Sequence, residues 1–182
     1  MNKSGIDNKR IALTGFMGVG KSTVSRHLSK MLKLKWADSD VRIEKNEGRE
    51  IAEIVEDRGL DYFRSAETSA LKEILDDASV SLISLGGGAF TVDENRDLLN
   101  ERGVSSIWLG ATFEHCWANI SSSYKDRPLA RDRKKALKLF EDREKYYCLA
   151  EWHFLIMPGC NSFAVASQIA EQVYGLAPDE WS

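Results

Sequence analysis

Little in this chain of 182 residues points to a membrane, a nucleic acid or an oxidising compartment. The three cysteines, Cys116, Cys148 and Cys160, are odd in number and scattered, with no CxxC pair and no Cys/His ligand spacing. That argues against a disulfide framework or a structural zinc site. Reduced thiols in a cytoplasmic protein are the simplest account. His27, His115 and His153 share no ligand spacing either. A basic excess is missing: the net charge is −3 and the pI about 5.7, so no nucleic-acid surface is expected. No apolar run approaches the length of a membrane span, and the polar first ten residues carry no secretory h-region. Internal repeats and low-complexity linkers are also missing. What remains is ordinary globular composition, 43% hydrophobic and 29% charged. The length suits one domain, residues 1–182, with a core over about 10–175.

The chemistry centres on residues 15–23. Gly15 and Gly20 bracket four residues, and Lys21-Ser22 follow at once, the pattern of a phosphate-binding loop. Ile11, Ala12 and Leu13 precede it as a buried parallel strand would. Ser22 to Leu32 reads as a helix with Val24, Leu28, Met31 and Leu32 on one face. Glycines let the backbone approach a phosphate closely. Successive N–H groups at a helix N-terminus then form an anion nest. Gly18, Val19, Gly20, Lys21, Ser22 and Thr23 are the expected nucleotide-binding residues. Lys21 would reach the β- and γ-phosphates, and the Ser22 hydroxyl would meet Mg²⁺. The plainer alternative is a glycine-rich turn with an exposed lysine.

The rest of the chain alternates strands and helices. Strands are expected at 10–14, 35–37, 80–85, 104–109 and 153–157. Helices are expected at 41–56 with a break at Gly48, and at 60–77 after Gly59 ends the first. Further helices are expected at 93–102, 113–120 behind a Thr112 cap, 132–149 and 163–174. Residues 1–9 and the tail after Gly175 read as loose. This order predicts an α/β fold with a five-stranded, largely parallel sheet and helices on both faces. Ligands then sit beyond the carboxyl ends of the strands. The phosphate loop, Asp38 with Asp40, and the glycine triplet should meet at one rim.

Several residues admit two readings. Asp38 and Asp40, one residue apart, would point the same way from an extended stretch and serve Mg²⁺ and an acceptor hydroxyl. They are equally a helix-capping pair. Arg64 on a helix is by default a surface charge. Gly86, Gly87 and Gly88 form either a flexible turn or a backbone surface open to a small ligand. Arg127, in a polar stretch stiffened by Pro128, is a lid arginine or a surface charge. Arg143 lies on a charge-rich helix and reads as solvated, as does the run from Arg131 to Lys138. Trp108, Trp117 and Trp152 read as packing residues.

Taken together, these motifs resemble the shikimate kinase family. Trp-Ala-Asp-Ser-Asp at 36–40 looks like its aromatic-x-Asp-x-Asp motif, and Phe63-Arg64 with Glu67 its Phe-Arg-x-x-Glu. Leu85-Gly86-Gly87-Gly88, Arg127-Pro128-Leu129, and Arg143 with Tyr147 and Ala150 follow in register. The resemblance implies a P-loop kinase fold with a mobile lid over about 112–131. It implies ATP and Mg²⁺, and transfer of the γ-phosphoryl group to the 3-hydroxyl of shikimate. Lys21, Asp40 and Arg127 would be catalytic, with Asp40 holding the hydroxyl. Arg64 and Arg143 would grip the shikimate carboxylate, a pairing that suits planar guanidinium groups. Gly86, Gly87 and Gly88 would contact the ring hydroxyls, and Asp38 would organise Mg²⁺ with Ser22. A cytoplasmic monomer without nucleic-acid or membrane partners is expected. Three departures stand out: Ser25 in place of a common glycine, Leu60 in place of a frequent acid, and no adenine-stacking arginine in Ser121–Lys125. No adenine-binding residue is therefore assigned. Two rivals remain: a gluconate or nucleoside monophosphate kinase on the same scaffold, and a non-catalytic nucleotide-binding module.

Overall fold

The computed structural model describes residues 9–124, 126–157 and 159–176. Five strands, β1 (Arg10–Thr14), β2 (Trp36–Asp38), β3 (Leu82–Ser84), β4 (Val104–Gly110) and β5 (Trp152–Leu155), form one sheet in the order β2-β3-β1-β4-β5. Every neighbouring pair is parallel. β1 lies at the centre, and Ile11, Ala12 and Leu13 are wholly buried. A parallel strand covered on both faces has no polar side to show, which is why this one reads as a continuous apolar run. The expected α/β architecture is therefore present.

Among the described residues seven α-helices connect and cover the strands: α1 (Lys21–Leu32), α2 (Ser39–Glu47), α3 (Ile51–Asp76), α4 (Asp93–Glu101), α5 (Phe113–Ser121), α6 (Arg133–Tyr147) and α7 (Ser162–Tyr174). Their starts are chemically marked. Asp38, Thr112, Asp132 and Asn161 cap α2, α5, α6 and α7 through their side chains, each satisfying an orphan N–H of the first turn. Glu50 and Glu53 form a capping box at α3. The main core runs through β1, β3, β4, α1 and α7, with Leu28, Leu71, Ile83, Ile107 and Ile169 among its buried members. A smaller cluster of Ile43, Ile54, Phe63 and Ala70 holds α2 against α3.

Between β2 and β3 both expected breaks are present. α2 ends at Gly48 in the left-handed conformation (φ 64°). Gly59, with φ 81° and ψ 174°, is non-helical and divides α3, so that one helical stretch ends there and a second follows, as expected. Two short 3₁₀ turns, Ala89–Thr91 and Pro128–Ala130, lie where no element was expected. Of the leader expected over residues 1–9 only Lys9 is described, and its Nζ donates to Val173 O at 2.7 Å. Residues 1–8 and 177–182 lie outside the described part. Trp108 packs as anticipated, against the rings of Tyr147 and His153.

Candidate functional site

The rim formed by the carboxyl ends of β1, β2 and β3 carries a cavity of about 460 Å³. Gly18, Val19, Gly20, Lys21, Ser22 and Thr23 line it, with Asp38, Asp40, Ser84 and Arg127. The loop's backbone is possible only with glycine. Gly15 and Gly18 have φ of 137° and 81°, and a Cβ on them would lie 2.5 Å from Leu109 O and Cys116 O respectively. The loop is thus pressed against the end of β4 and against α5. No side chain caps α1; Thr23 N turns back to Gly20 O at 3.0 Å, and an anion can take the place of a cap at the start of the helix.

Lys21 is not the exposed lysine of the plainer reading. It is 8% exposed, and its Nζ donates to Gly15 O at 2.8 Å and Phe16 O at 3.1 Å. Burial lowers its pKa to about 8; the Asp40 carboxylate opposes that shift, and the nearby Arg127 charge adds to it. Arg127 itself has a buried Nε with no protein partner. A buried guanidinium N–H of this kind is costly unless it meets an acceptor, and a phosphate oxygen in the cavity is such an acceptor.

Asp38 caps a helix and also reaches the phosphate loop. Its Oδ1 caps α2, accepting from Asp40 N at 3.0 Å and Val41 N at 3.4 Å. Its Oδ2 accepts from Ser22 Oγ at 2.7 Å. Ser84 Oγ lies 3.4 Å from the same serine. The reason given for pairing Asp38 with Asp40 needs correction. Asp38 ends β2 while Asp40 already lies in the first turn of α2. Their proximity comes from the strand-to-helix turn, not from strand alternation.

A second, smaller pocket adjoins the first. Met17, Asp40, Phe63, Arg64, Glu67, Gly87, Gly88, Arg127 and Arg143 line it. Asp40 and Arg127 border both spaces. The glycine triplet is there to let side chains in. A Cβ on Gly88 would lie 2.5 Å from Nη2 and 2.6 Å from Cζ of Arg64. One on Gly86 would strike the Asp40 carboxylate and stand 2.9 Å from Glu67 Oε1. The Gly86 N–H donates to Ser39 Oγ at 2.7 Å, tying the triplet to the start of α2.

Two default readings of arginine fail here. Arg64 is partly buried and pairs closely with Glu67, which is itself 1% exposed. Burial raises the Glu67 pKa, and Arg64 opposes the rise. Arg143 is 5% exposed rather than solvated. Its Nη1 donates to Gly87 O at 3.1 Å, and Tyr147 Oη donates to the same carbonyl at 2.5 Å. Burial lowers the Arg143 pKa. The physical reason is helical phase: Ala136, Arg143 and Tyr147 share the inward stripe of α6.

The expected site residues other than Gly86 therefore border these two adjoining pockets; Gly86 lies behind them, against Asp40 and Glu67. The sequence reading missed the far wall of the larger one, formed by His115, Asn119, Asn161 and Ser162. Asn119 Nδ2 donates to Gly18 O at 2.8 Å and lies 3.2 Å from His115 Nε2. The signal available was the i, i+4 spacing of His115 and Asn119 on α5; the sequence reading weighed His115 only as a metal ligand and did not include Asn119.

Comparison with known proteins agrees with this geometry. The shikimate kinase family matches residues 17–174. A shikimate kinase of Persephonella marina is 36% identical over 144 residues, covering 79% of this chain and 86% of that one. One from Caulobacter vibrioides is 38% identical over 148 residues, covering 80% and 72%. Among solved structures, shikimate kinase from Acinetobacter baumannii in complex with shikimate superposes with a TM-score of 0.84, at 29% identity and with 96% and 98% of the two chains covered. With a match of this extent and a loop, rim and pocket of this form, the chain belongs to the shikimate kinase family.

Proposed function

We propose that this protein transfers the γ-phosphoryl group of ATP to the 3-hydroxyl of shikimate, giving shikimate 3-phosphate and ADP. One observation carries the reading: Asp40 and Arg127 border both the phosphate-loop cavity and the pocket of Arg64 and Arg143. A phosphoryl donor and a carboxylate-bearing acceptor bound in these spaces would meet at those two side chains.

The nucleotide phosphates lie on the N–H groups of residues 18–23 and the ammonium of Lys21. Arg64 and Arg143 hold the acceptor carboxylate, and the backbone of Gly86, Gly87 and Gly88 faces the ring hydroxyls. Asp40 orients the 3-hydroxyl and takes its proton as the oxygen attacks the γ-phosphorus and the bond to the β-phosphate oxygen breaks. Lys21 and Arg127 balance the negative charge of that transition state. Such catalysis is positioning and charge stabilisation, with little covalent work for the protein. The segment 112–131 acts as the lid that keeps water from the phosphoryl group.

Ser22 and Asp38 suit Mg²⁺. They offer a hydroxyl and a carboxylate joined at 2.7 Å beside the loop. Among the described residues no three His, Cys, Asp or Glu side chains cluster as metal ligands. That fits an ion held by one or two protein oxygens together with phosphate and water. When bound with the nucleotide it supplies further charge neutralisation at the β- and γ-phosphates. We place the enzyme in the cytoplasm as a monomer. No described helix is long and apolar enough to cross a membrane.

A coupled assay for ADP across shikimate, gluconate and nucleoside monophosphates tests the reading. Turnover with shikimate alone is expected. Turnover with another acceptor and none with shikimate would replace it, and ATP binding without any product would favour the non-catalytic module.

A further inference from the structure

Arg131 sits where three segments meet. It lies between the 3₁₀ turn Pro128–Ala130 and Asp132, the cap of α6. Its Nε donates to Asp126 Oδ1 at 3.0 Å, and its Nη2 pairs closely with Asp126 Oδ2. Its Nη1 stands 2.6 Å from Glu56 Oε1 on α3. One planar guanidinium thus spans two carboxylates from different parts of the chain. Asp126 immediately precedes Arg127. Glu56 lies on the helix that carries Arg64 and Glu67.

We propose that Arg131 is a positioning residue for Arg127, tying the residue in front of it to the helix of the acceptor pocket. The proposal rests on the reading that Arg127 meets the transferring phosphoryl group. On its carboxyl side, Arg127 is already fixed by Pro128 and by Ala130 N donating to Arg127 O at 2.8 Å. On its amino side the chain is polar, and Tyr124 is fully exposed. The Asp126 bridge to Arg131 anchors that side, and the bridge onward to Glu56 sets the anchor against α3. Within the Arg127 side chain, the buried Nε meets no protein acceptor.

The three charged groups are about half exposed. Bridges of that kind add little to stability. Their removal should leave the fold intact and act on geometry instead. A lysine would not substitute, because a single ammonium lacks the fork that reaches two carboxylates at once.

The test uses the full chain with Arg131→Gln, Arg131→Lys, Glu56→Gln, the Arg131→Gln/Glu56→Gln pair, and Arg127→Ala as the control. Single-turnover phosphoryl transfer, ADP affinity and thermal midpoint are measured for each. Arg131→Gln should slow the transfer step about three- to tenfold, on the scale of a modest misplacement. ADP affinity should stay within about twofold and the midpoint within about 2 °C. Arg131→Lys should not restore the rate, and the pair should be no slower than the worse single variant, because both break one bridge. An unchanged transfer rate in Arg131→Gln, with Arg127→Ala slowed about a hundredfold or more, would overturn the tether and leave the proposed function standing. Additive losses in the pair, or full rescue by lysine, would also overturn it. No loss in Arg127→Ala would instead remove the reading on which the tether depends.

Discussion

Gly88→Ala isolates the acceptor pocket from the rest of the protein. The backbone there has φ −110° and ψ −15°, which alanine adopts without strain. The only demand is space. The new Cβ would lie 2.5 Å from Nη2 and 2.6 Å from Cζ of Arg64, whereas non-bonded heavy atoms settle at roughly 3.5 Å. The guanidinium must therefore retreat by about 1 Å, and a positioning group misplaced by that much can cost on the order of 10²-fold. We expect kcat/KM for shikimate to fall about 10- to 100-fold. ADP affinity should stay within about twofold, because the phosphate loop is untouched. Two effects on stability oppose each other. Removing glycine freedom from the unfolded chain contributes about 0.4–1 kcal/mol. Disturbing the Arg64 partner of buried Glu67 costs about 1–3 kcal/mol. The thermal midpoint should thus move only modestly downwards. Steady-state kinetics with each substrate varied in turn, alongside ADP calorimetry, decide the matter. Unaltered shikimate kinetics would refute the claim that Gly88 exists to admit Arg64. Equal losses for both ligands would mean general damage.

Asp40→Asn should retain nucleotide binding while turnover drops by about 10²-fold, the usual scale for a positioned base; an unchanged rate would remove Asp40 from the proton transfer. Asp38→Asn keeps a good cap for α2 but loses the charge facing Ser22, so the Mg²⁺ concentration for half-maximal rate should rise about tenfold with the fold intact. An identical Mg²⁺ titration would take Asp38 out of the metal site. For Lys21, burial favours the neutral form in the free protein, with a pKa of about 8. Above that pH the folded lysine has lost its proton while the unfolded chain still holds one. Free-protein stability should therefore rise from about pH 8 towards 10.5, the sign that linkage requires. Phosphates need the ammonium, so ADP binding at pH 9 should take up about one proton and weaken about tenfold relative to about pH 7. Calorimetry in buffers of different ionisation heat measures this uptake, and its absence, or its persistence in Lys21→Met, would contradict the assignment.

What could be read along the chain was whatever depends on local chemistry. The phosphate loop is local: glycines at fixed offsets, an apolar strand before them and a helix behind them. The sheet strands were legible for the same reason, since burial on both faces leaves continuous apolar runs such as Ile11–Leu13. Helix starts were legible where a capping side chain announces them, as Thr112 does for α5. The helical phase of Arg143 was there to be seen as well. Its spacing of seven from Ala136 and four from Tyr147 places it inward, but the surrounding charges drew attention to composition instead.

Other features had no local signature. The glycine triplet looks like a flexible turn. Only its neighbours, Asp40, Glu67 and Arg64, arriving from other elements, show that the missing Cβ atoms make room for them. The bridge from Asp126 through Arg131 to Glu56 joins residues 70 and 75 positions apart from α3's acid, too far for any spacing rule. Covalent neighbours and side-chain type determine which segments turn, cap and pair, so the chain by itself determined the loop and the fold class. Which charges lose their water, and which then face one another, depends on how the sheet stacks its strand ends. That was decided only when β1, β2 and β3 brought their rims together.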